Sequence, residues 1–363
     1  MSVDAEKSSF GFDLVIIYFL IIIITGINGF IALTMLFILS ELNFGRDPNN
    51  KHGVTSGNSR LGGLAITFSI IFGVIINLQI ISNFNLENFK NELDSITFLS
   101  LIIGLIGLAE DFRQGYSSTT RLIIMFIIIT IGLYFMPALI PYNLEVFQFL
   151  GLSDYKIFVY LFTSFMVCGF INAGNIADGA NGLLASIFFA FFLIAYDIDN
   201  TIFNLSILTT LITFILFNVS TGRIFLGDFG AYGLSALVAL KSLEIYSVNE
   251  VNVFFLASIL IYPCFEIVRS LILRIYNNAS ILSPDNLHLH NFINNYLIKK
   301  GFKNNVSNSG TGLGIAFISS IIPLSLYFSG TNLHSELWEV IFIIQIIFLT
   351  AIYIFLQKKL MIR

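Results

Sequence analysis

Apolar residues in this chain come in long runs. Eleven stand out, over 14–39, 62–81, 96–108, 122–139, 157–171, 183–196, 202–217, 231–246, 251–275, 313–328 and 337–356. A helix crossing a bilayer takes about 20 mostly apolar residues, and bare backbone polar groups cannot be left in lipid. The pattern predicts an all-α integral membrane protein, a polytopic bundle of 10–11 transmembrane helices, the lower count allowing for the short third, fifth and sixth runs. No long internal repeat, low-complexity linker or second domain interrupts it, so 1–363 reads as a single multi-span membrane domain.

Composition agrees with the pattern. Of 363 residues 56% are apolar and 11% charged, where a soluble domain carries about 25% charge. With 39 Phe, the chain has too little charge to cover a water-facing surface, which excludes a soluble enzyme, a secreted disulfide scaffold and a disordered chain. A net charge of −4 argues against a nucleic-acid partner. Cys168 and Cys264 lie inside apolar runs, away from any disulfide or zinc pattern. Residues 1–13 lack a basic signal-peptide head, so the first run is expected to stay as an anchor.

Charge placement orients the bundle. If the connections alternate sides, the amino-terminal side holds only Lys7, Lys90, Lys156 and Lys241, and the other side holds the remaining 14 of the 18 Lys and Arg residues. By the positive-inside rule the second side is cytoplasmic, with the amino terminus outside and the carboxyl terminus inside. Every polar cluster that reads as chemistry falls on that cytoplasmic face, near 45–63, 110–121, 172–182, 218–230 and 277–310.

Each cluster has its own logic. In Asn172-Ala-Gly-Asn-Ile-Ala-Asp-Gly-Ala-Asn-Gly182, the residues Asn172, Asn175, Asp178 and Asn181 recur every three positions. On a helix that spacing forms one stripe, in which a carboxylate can hold a cation while carboxamides bond a sugar, base or phosphate. Ordinary helix-end Asn caps are the alternative. In Arg223-Ile-Phe-Leu-Gly-Asp-Phe-Gly230, Asp228 sits in a turn between glycines and suits an oxygen-liganded cation such as Mg²⁺. Phe225 is placed to stack on a base or to serve as an interfacial aromatic, and Asn218 is expected two helical turns away on the same face. Glu110 and Asp111, followed by Arg113 and Arg121, read as a metal-binding or acid–base pair, or as a solvated loop pair. His288 and His290 suit phosphate rather than zinc, with plain surface histidines as the alternative. The segment from Arg46 to His52, with Ser59-Arg-Leu-Gly-Gly63, makes a basic, Gly-bearing lead-in for anionic groups, although positive-inside topology alone would also explain its charges. The Gly310-Thr-Gly-Leu-Gly314 run reads as helix packing.

In this order, from about Arg46 to Asn291, the clusters resemble the polyprenyl-phosphate N-acetylhexosamine-1-phosphate transferases, glycosyltransferase family 4. The likeness rests on Asp47 to His52 with Ser59 to Gly63, on Asp111 with Arg121, on the loop 172–182, on the turn 225–230 and on Pro284-Asp-Asn-Leu-His-Leu-His290. Three departures stand out: Glu110 where many members have Asp, Asn181 for the usual second Asp, and Asn291 where a further His often lies. They look more like the branch initiating O-antigen and capsule than the peptidoglycan branch.

The resemblance implies a reaction: a UDP-N-acetylhexosamine and polyprenyl (undecaprenyl) phosphate give polyprenyl-diphospho-N-acetylhexosamine and UMP. It also implies Mg²⁺ (Mn²⁺ as substitute), an inner-membrane location and a homodimer. Implied roles are metal binding for Asp228 and Asp178, and orientation or deprotonation of the lipid phosphate for Asp111. His288, His290 and Arg60 neutralise phosphate oxygens, and His52, Asn172, Asn175, Asn181, Asn218 and Phe225 contact substrate. A non-catalytic polyprenyl-phosphate-binding homologue and a transporter are the alternative classes; a transporter should carry mid-span charges and inverted repeats.

Overall fold

The structure is a computed structural model that describes residues 22–23, 25–42, 58–84, 95–113, 117–249, 251–280 and 287–361. Its helices in chain order are α1 (Thr25–Glu41), α2 (Gly62–Phe84), α3 (Ser95–Arg113), α4 (Ser118–Tyr134), the short α5 (Glu145–Phe149), α6 (Lys156–Ala177) and α7 (Leu183–Ile198). There follow α8 (Ile202–Thr221), α9 (Gly227–Asn249), α10 (Val253–Ile259), α11 (Ile261–Tyr276), α12 (Leu289–Lys299), α13 (Asn304–Phe328) and α14 (Leu337–Met361). The chain is an all-α polytopic membrane protein, and among the described residues the only strand-like feature is one parallel bridge, Ser59 to Ile224.

Burial separates lipid-facing helices from the centre. Helix α7 is apolar all round and almost wholly enclosed, from Leu183 to Ala195. Helices α8 and α9 bury long stretches beside it, and α3 and α6 both pack along α9. The outer helices instead leave one apolar face bare: Ile123, Ile127 and Ile131 on α4, and Ile343, Ile347 and Phe348 on α14. In water such stripes would be a liability; in a bilayer they meet lipid.

Two expected spans differ from the structure. The run 251–275 is not one straight span: α10 and α11 meet at an 85° bend around Leu260. Pro263, in the first turn of α11, has no N–H to give to a continuing helix and restricts the residue before it. The run 122–139 stops as α-helix at Tyr134, and Pro137 opens a separate 3-10 turn. The apolar run predicts membrane immersion; it says nothing about where backbone hydrogen bonding breaks.

Close backbone approach positions the end of the bundle that matters. A Cβ on Gly63 would collide with the backbone of Gly230, and one on Gly107 with the backbone of Asp228. These contacts let α2 and α3 lie against the start of α9. Gly63→Val should therefore lower the thermal midpoint of the detergent-solubilised protein, by an overpacking cost of about 1–3 kcal/mol. Gly314→Val, where nothing lies within 4 Å of the new Cβ, should leave that midpoint in place.

Candidate active site

Five chain segments meet at one end of the bundle. The first is tied to the fourth by backbone: Ser59 N donates to Arg223 O (3.1 Å) and Phe225 N to Ser59 O (2.8 Å). The leading N–H groups of α2, on Gly62 and Gly63, donate to the carbonyls of Phe225 and Leu226, each at 2.8 Å. A helix start has no carbonyls of its own for these donors, so the loop before α9 supplies them.

This zipper delivers Arg60 to the acids. Its guanidinium lies 3.1 Å from Asp111 and 3.3 Å from Asp228. Asp111 is buried and its oxygens also accept the backbone N–H groups of Asp228 (3.0 Å) and Phe229 (2.9 Å). A carboxylate from α3 thus caps the positive end of α9, a placement that both the free N–H groups and the helix dipole favour. Gly227 makes the approach feasible: its φ is +71°, and a Cβ there would strike the Arg60 carbonyl. In this arrangement the contacts of Asp111 are to Arg60 and to the start of α9, and they fix the position of Asp228.

Asp228 lies in the first turn of α9, with its second oxygen 3.5 Å from Arg121. Arg121 also approaches Glu110 (3.8 Å) and donates to the Tyr232 hydroxyl (3.2 Å), which takes a further, longer contact from Asn175 (3.4 Å). Tyr232 follows Asp228 by four residues and shares its helix face, a relation the sequence reading missed. The Oε2 atom of Glu110 is buried with no hydrogen-bond partner.

The third segment departs from the expected stripe. Helix α6 ends at Ala177, and Asp178 closes it as C-cap. Asn172 and Asn175 stay on the helix while Asn181 lies beyond its end, in the loop that Gly182 closes in a left-handed conformation as the N-cap of α7. Asn172 donates back to Cys168 O on its own helix (2.8 Å). Asn181 instead docks on α13: its N–H donates to Asn308 and its amide to Ser309 Oγ. A Cβ on Gly312 would collide with the Asn181 carbonyl, so within the Gly310–Gly314 run it is Gly312 that allows close packing.

Asn218 is not two helical turns from Phe225 on a shared helix, since α8 stops at Thr221. Its side chain accepts from Gly182 N and donates to Ile224 O, both at 2.6 Å, and so clamps two loops. All the same, Asp178, Asn181, Asn218 and Phe225 line one narrow cleft with a free volume of about 20 Å³, where Asn181 Oδ1 is a buried acceptor without a partner.

The fifth segment brings in the histidines. A Cβ on Gly179 would collide with the imidazole of His290, so that ring sits directly on the Asp178-Gly179 corner. His288 stacks on His290 with ring centroids 5.2 Å apart. Behind them stands a buried carboxylate, Glu266, which the sequence reading missed together with Tyr262 and Arg269. A Glu–Arg pair inside the run 251–275 was the available signal, since charges in apolar helices are expensive and usually serve a purpose. His52 and residues 281–286 lie outside the described residues.

Asp178 and Asp228 are the carboxylates here that could take a divalent cation. Among the described residues no three His, Cys, Asp or Glu side chains form a ready cation cage. Mg²⁺ asks for less, taking one or two carboxylates and completing its shell with water and substrate phosphate. Asp178 feels the charges of both Asp228 and Asp111. Glu110, across Arg121 from Asp228, adds a buried carboxylate oxygen without a hydrogen-bond partner.

Fold and site define a polytopic membrane protein with a carboxylate–arginine centre at one end of its bundle. The chain belongs to glycosyl transferase family 4, whose family model matches residues 93–246. It is 30% identical over 240 residues to a phospho-N-acetylmuramoyl-pentapeptide-transferase of Oceanobacillus iheyensis, covering 59% of this chain and 71% of the relative. A protein of the same name from Bacillus subtilis is 25% identical over 297 residues, covering 74% of this chain and 89% of the relative. Against the one from Wolbachia pipientis wMel the figures are 27% over 215 residues, 53% of this chain and 62% of the relative.

Burial, then the charges of Asp228 and Asp111, push the Asp178 carboxyl up to about 7, with Arg60 opposing. An acid whose folded pKa is raised favours the folded state most when protonated, below its unfolded value near 4. That contribution is lost as pH rises toward 7. Metal-free protein should accordingly melt at lower temperature at pH 8 than at pH 5, and Asp178→Asn should flatten this slope in a thermal-shift series.

Proposed function

We propose that this protein transfers an N-acetylhexosamine 1-phosphate from a UDP-sugar to polyprenyl phosphate, releasing UMP. Membership in the family and the name borne by the relatives support a phospho-sugar transferase. The observation that carries the reading is the gathering of Arg60, Arg121, Asp178 and Asp228 around the buried start of α9. The 14-to-4 split of basic residues supports placing this end of the bundle at the cytoplasmic surface of the cell membrane. A lipid phosphate and a soluble nucleotide can meet only at such a boundary.

Phosphoryl transfer asks a protein mainly for positioning and charge neutralisation. An oxygen of the lipid phosphate attacks the sugar-bearing phosphorus of the UDP-sugar, a new P–O–P link forms, and the bond to the UMP oxygen breaks. Asp228 and Asp178 would hold Mg²⁺, or Mn²⁺ in its place. When bound, that ion neutralises the diphosphate oxygens and the charge developing on UMP. Arg60 and Arg121 lie where a diphosphate would draw them from Asp228. Asp111 keeps the start of α9 fixed, and His288 and His290 close the site from the α11–α12 side. Phe225 and the free acceptor of Asn181 would contact the nucleoside only after the narrow adjoining cleft widens. An N-acetylated sugar is the substrate class; the relatives' printed name specifies a muramoyl pentapeptide, whereas Glu110, Asn181 and Asn291 favour a simpler hexosamine.

Purified protein given undecaprenyl phosphate, Mg²⁺ and a panel of UDP-N-acetylhexosamines, with UDP-N-acetylmuramoyl-pentapeptide among them, should release UMP with one of them. No UMP from any member overturns the reading. EDTA should stop turnover and Mg²⁺ restore it. Asp228→Asn should cut UMP release by about a hundredfold or more while the protein stays folded in the membrane; wild-type turnover there would remove the metal assignment.

A further inference from the structure

The bent helix α11 holds a charged residue that no step above uses. Glu266 is wholly buried, and both of its oxygens are occupied. Oε2 accepts from Arg269 Nε (3.2 Å) and Nη2 (2.9 Å), and lies 3.0 Å from His288 Nδ1. Oε1 accepts the backbone N–H of Leu289 (2.7 Å), in the first turn of α12, and the Tyr262 hydroxyl (3.1 Å). That hydroxyl is in turn 3.0 Å from His290 Nδ1.

Either the Nδ1 of His288 accepts from Arg269 Nη2, or it bears a proton and donates to Glu266; an ionised carboxylate only accepts, and its charge favours the second arrangement. The 2.8 Å approach of Arg269 Nη2 to the same Nδ1 is then a contact between two donors that share one acceptor. Tyr262 has a single hydroxyl proton, which goes to Glu266, so its oxygen must accept from His290 Nδ1–H. One carboxylate therefore fixes the same tautomer in both rings, directly in His288 and through Tyr262 in His290. Imidazole geometry turns each Nε2 the opposite way, and the His290 ring reaches the Gly179 corner beside Asp178. Carboxylate partners do this to histidines elsewhere, setting ring orientation and raising basicity.

We infer that Glu266 is a positioning residue, which with Tyr262 locks His288 and His290 as Nδ1–H donors and aims their Nε2 edges at the phosphate-binding end of the site. This rests on the proposed transferase reading only for what the Nε2 atoms meet. The charged and titratable groups around the pair include Glu266, Arg269 and Tyr262 on α11, Asp178 at the end of α6 beside His290, and Tyr353 on α14, which accepts from Arg269 (3.3 Å) and lies under its guanidinium.

The test is hydrogen–deuterium exchange at histidine C2 in the full-length protein, followed across pH, which gives each imidazole its own titration midpoint without any need for activity. In Glu266→Gln the carboxylate is gone while Arg269 remains, so the His288 midpoint should fall by about one pH unit or more. In Tyr262→Phe the His290 curve should move and that of His288 should stay. His334, in the α13–α14 turn, is the internal control for an intact fold. Unchanged His288 and His290 curves in both variants, with His334 also unchanged, overturn the inference. If Glu266→Gln does not fold, Glu266→Asp and Tyr262→Phe serve, the former being expected to keep most of the wild-type His288 curve. In turnover, Glu266→Gln should lower kcat for UMP release more than tenfold with a lesser change in KM for the UDP-sugar, and shift the acid limb of the pH profile with His288. An inactive wild type with these shifts present would count against the transferase reading and not against the positioning role.

Discussion

The active end of this protein depends on one buried carboxylate. Asp111 takes two backbone N–H groups from the start of α9 and the guanidinium of Arg60. A carboxylate enclosed at that depth costs several kcal/mol unless its lone pairs are met, and here they are met by groups from two other chain segments. The pairing thus works as a register pin. It sets α3 against α9, seats the loop before α2 on the loop before α9, and leaves Asp228 at the helix mouth between two arginines. Glu266 repeats the device on the far side, joining α11 to the start of α12 and the two histidines.

Both devices use a helix start as something to be filled. In a membrane bundle, backbone donors at helix ends have little water to turn to, so polar side chains from neighbouring segments complete them. The donors of α2 are met by carbonyls, those of α9 by Asp111 and those of α12 by Glu266. What satisfies the fold also concentrates charge, so that acids and arginines alternate around the start of α9.

The helices were legible in the sequence because the bilayer imposes length and apolarity together: the apolar runs fall on helix wherever their residues are described, apart from a few at the run ends and breaks, although among the described residues only five helices, or six with the bent pair, are long and apolar enough to cross a bilayer. The motif loops were legible for the complementary reason: Asp178, Asp228 and Arg60 stand out where polar residues are costly. Their contacts were not. Spacing placed Asn181 on a stripe with Asp178, but α6 stops at Ala177 and the loop beyond it carries Asn181 to Asn308, a partner 127 residues away. Asn218 looked like a ligand contact, yet its amide closes two loops, a choice that depends on tertiary neighbours. Tyr232 and Glu266 were hidden because each sits in an apolar run, and only packing reveals which face it presents. The 85° bend at Leu260 had a sequence signal in Pro263, which the surrounding hydrophobicity masked.

A double-mutant cycle on Arg60 and Asp111 examines the pin directly. Arg60→Met, Asp111→Asn and the double variant would be unfolded from the same detergent and their stabilities compared. If the two side chains form one buried unit, the double variant loses less than the two single losses added together, with a coupling of about 1–3 kcal/mol. Additive losses would show that the two groups act independently, and would contradict an active end organised around their contact.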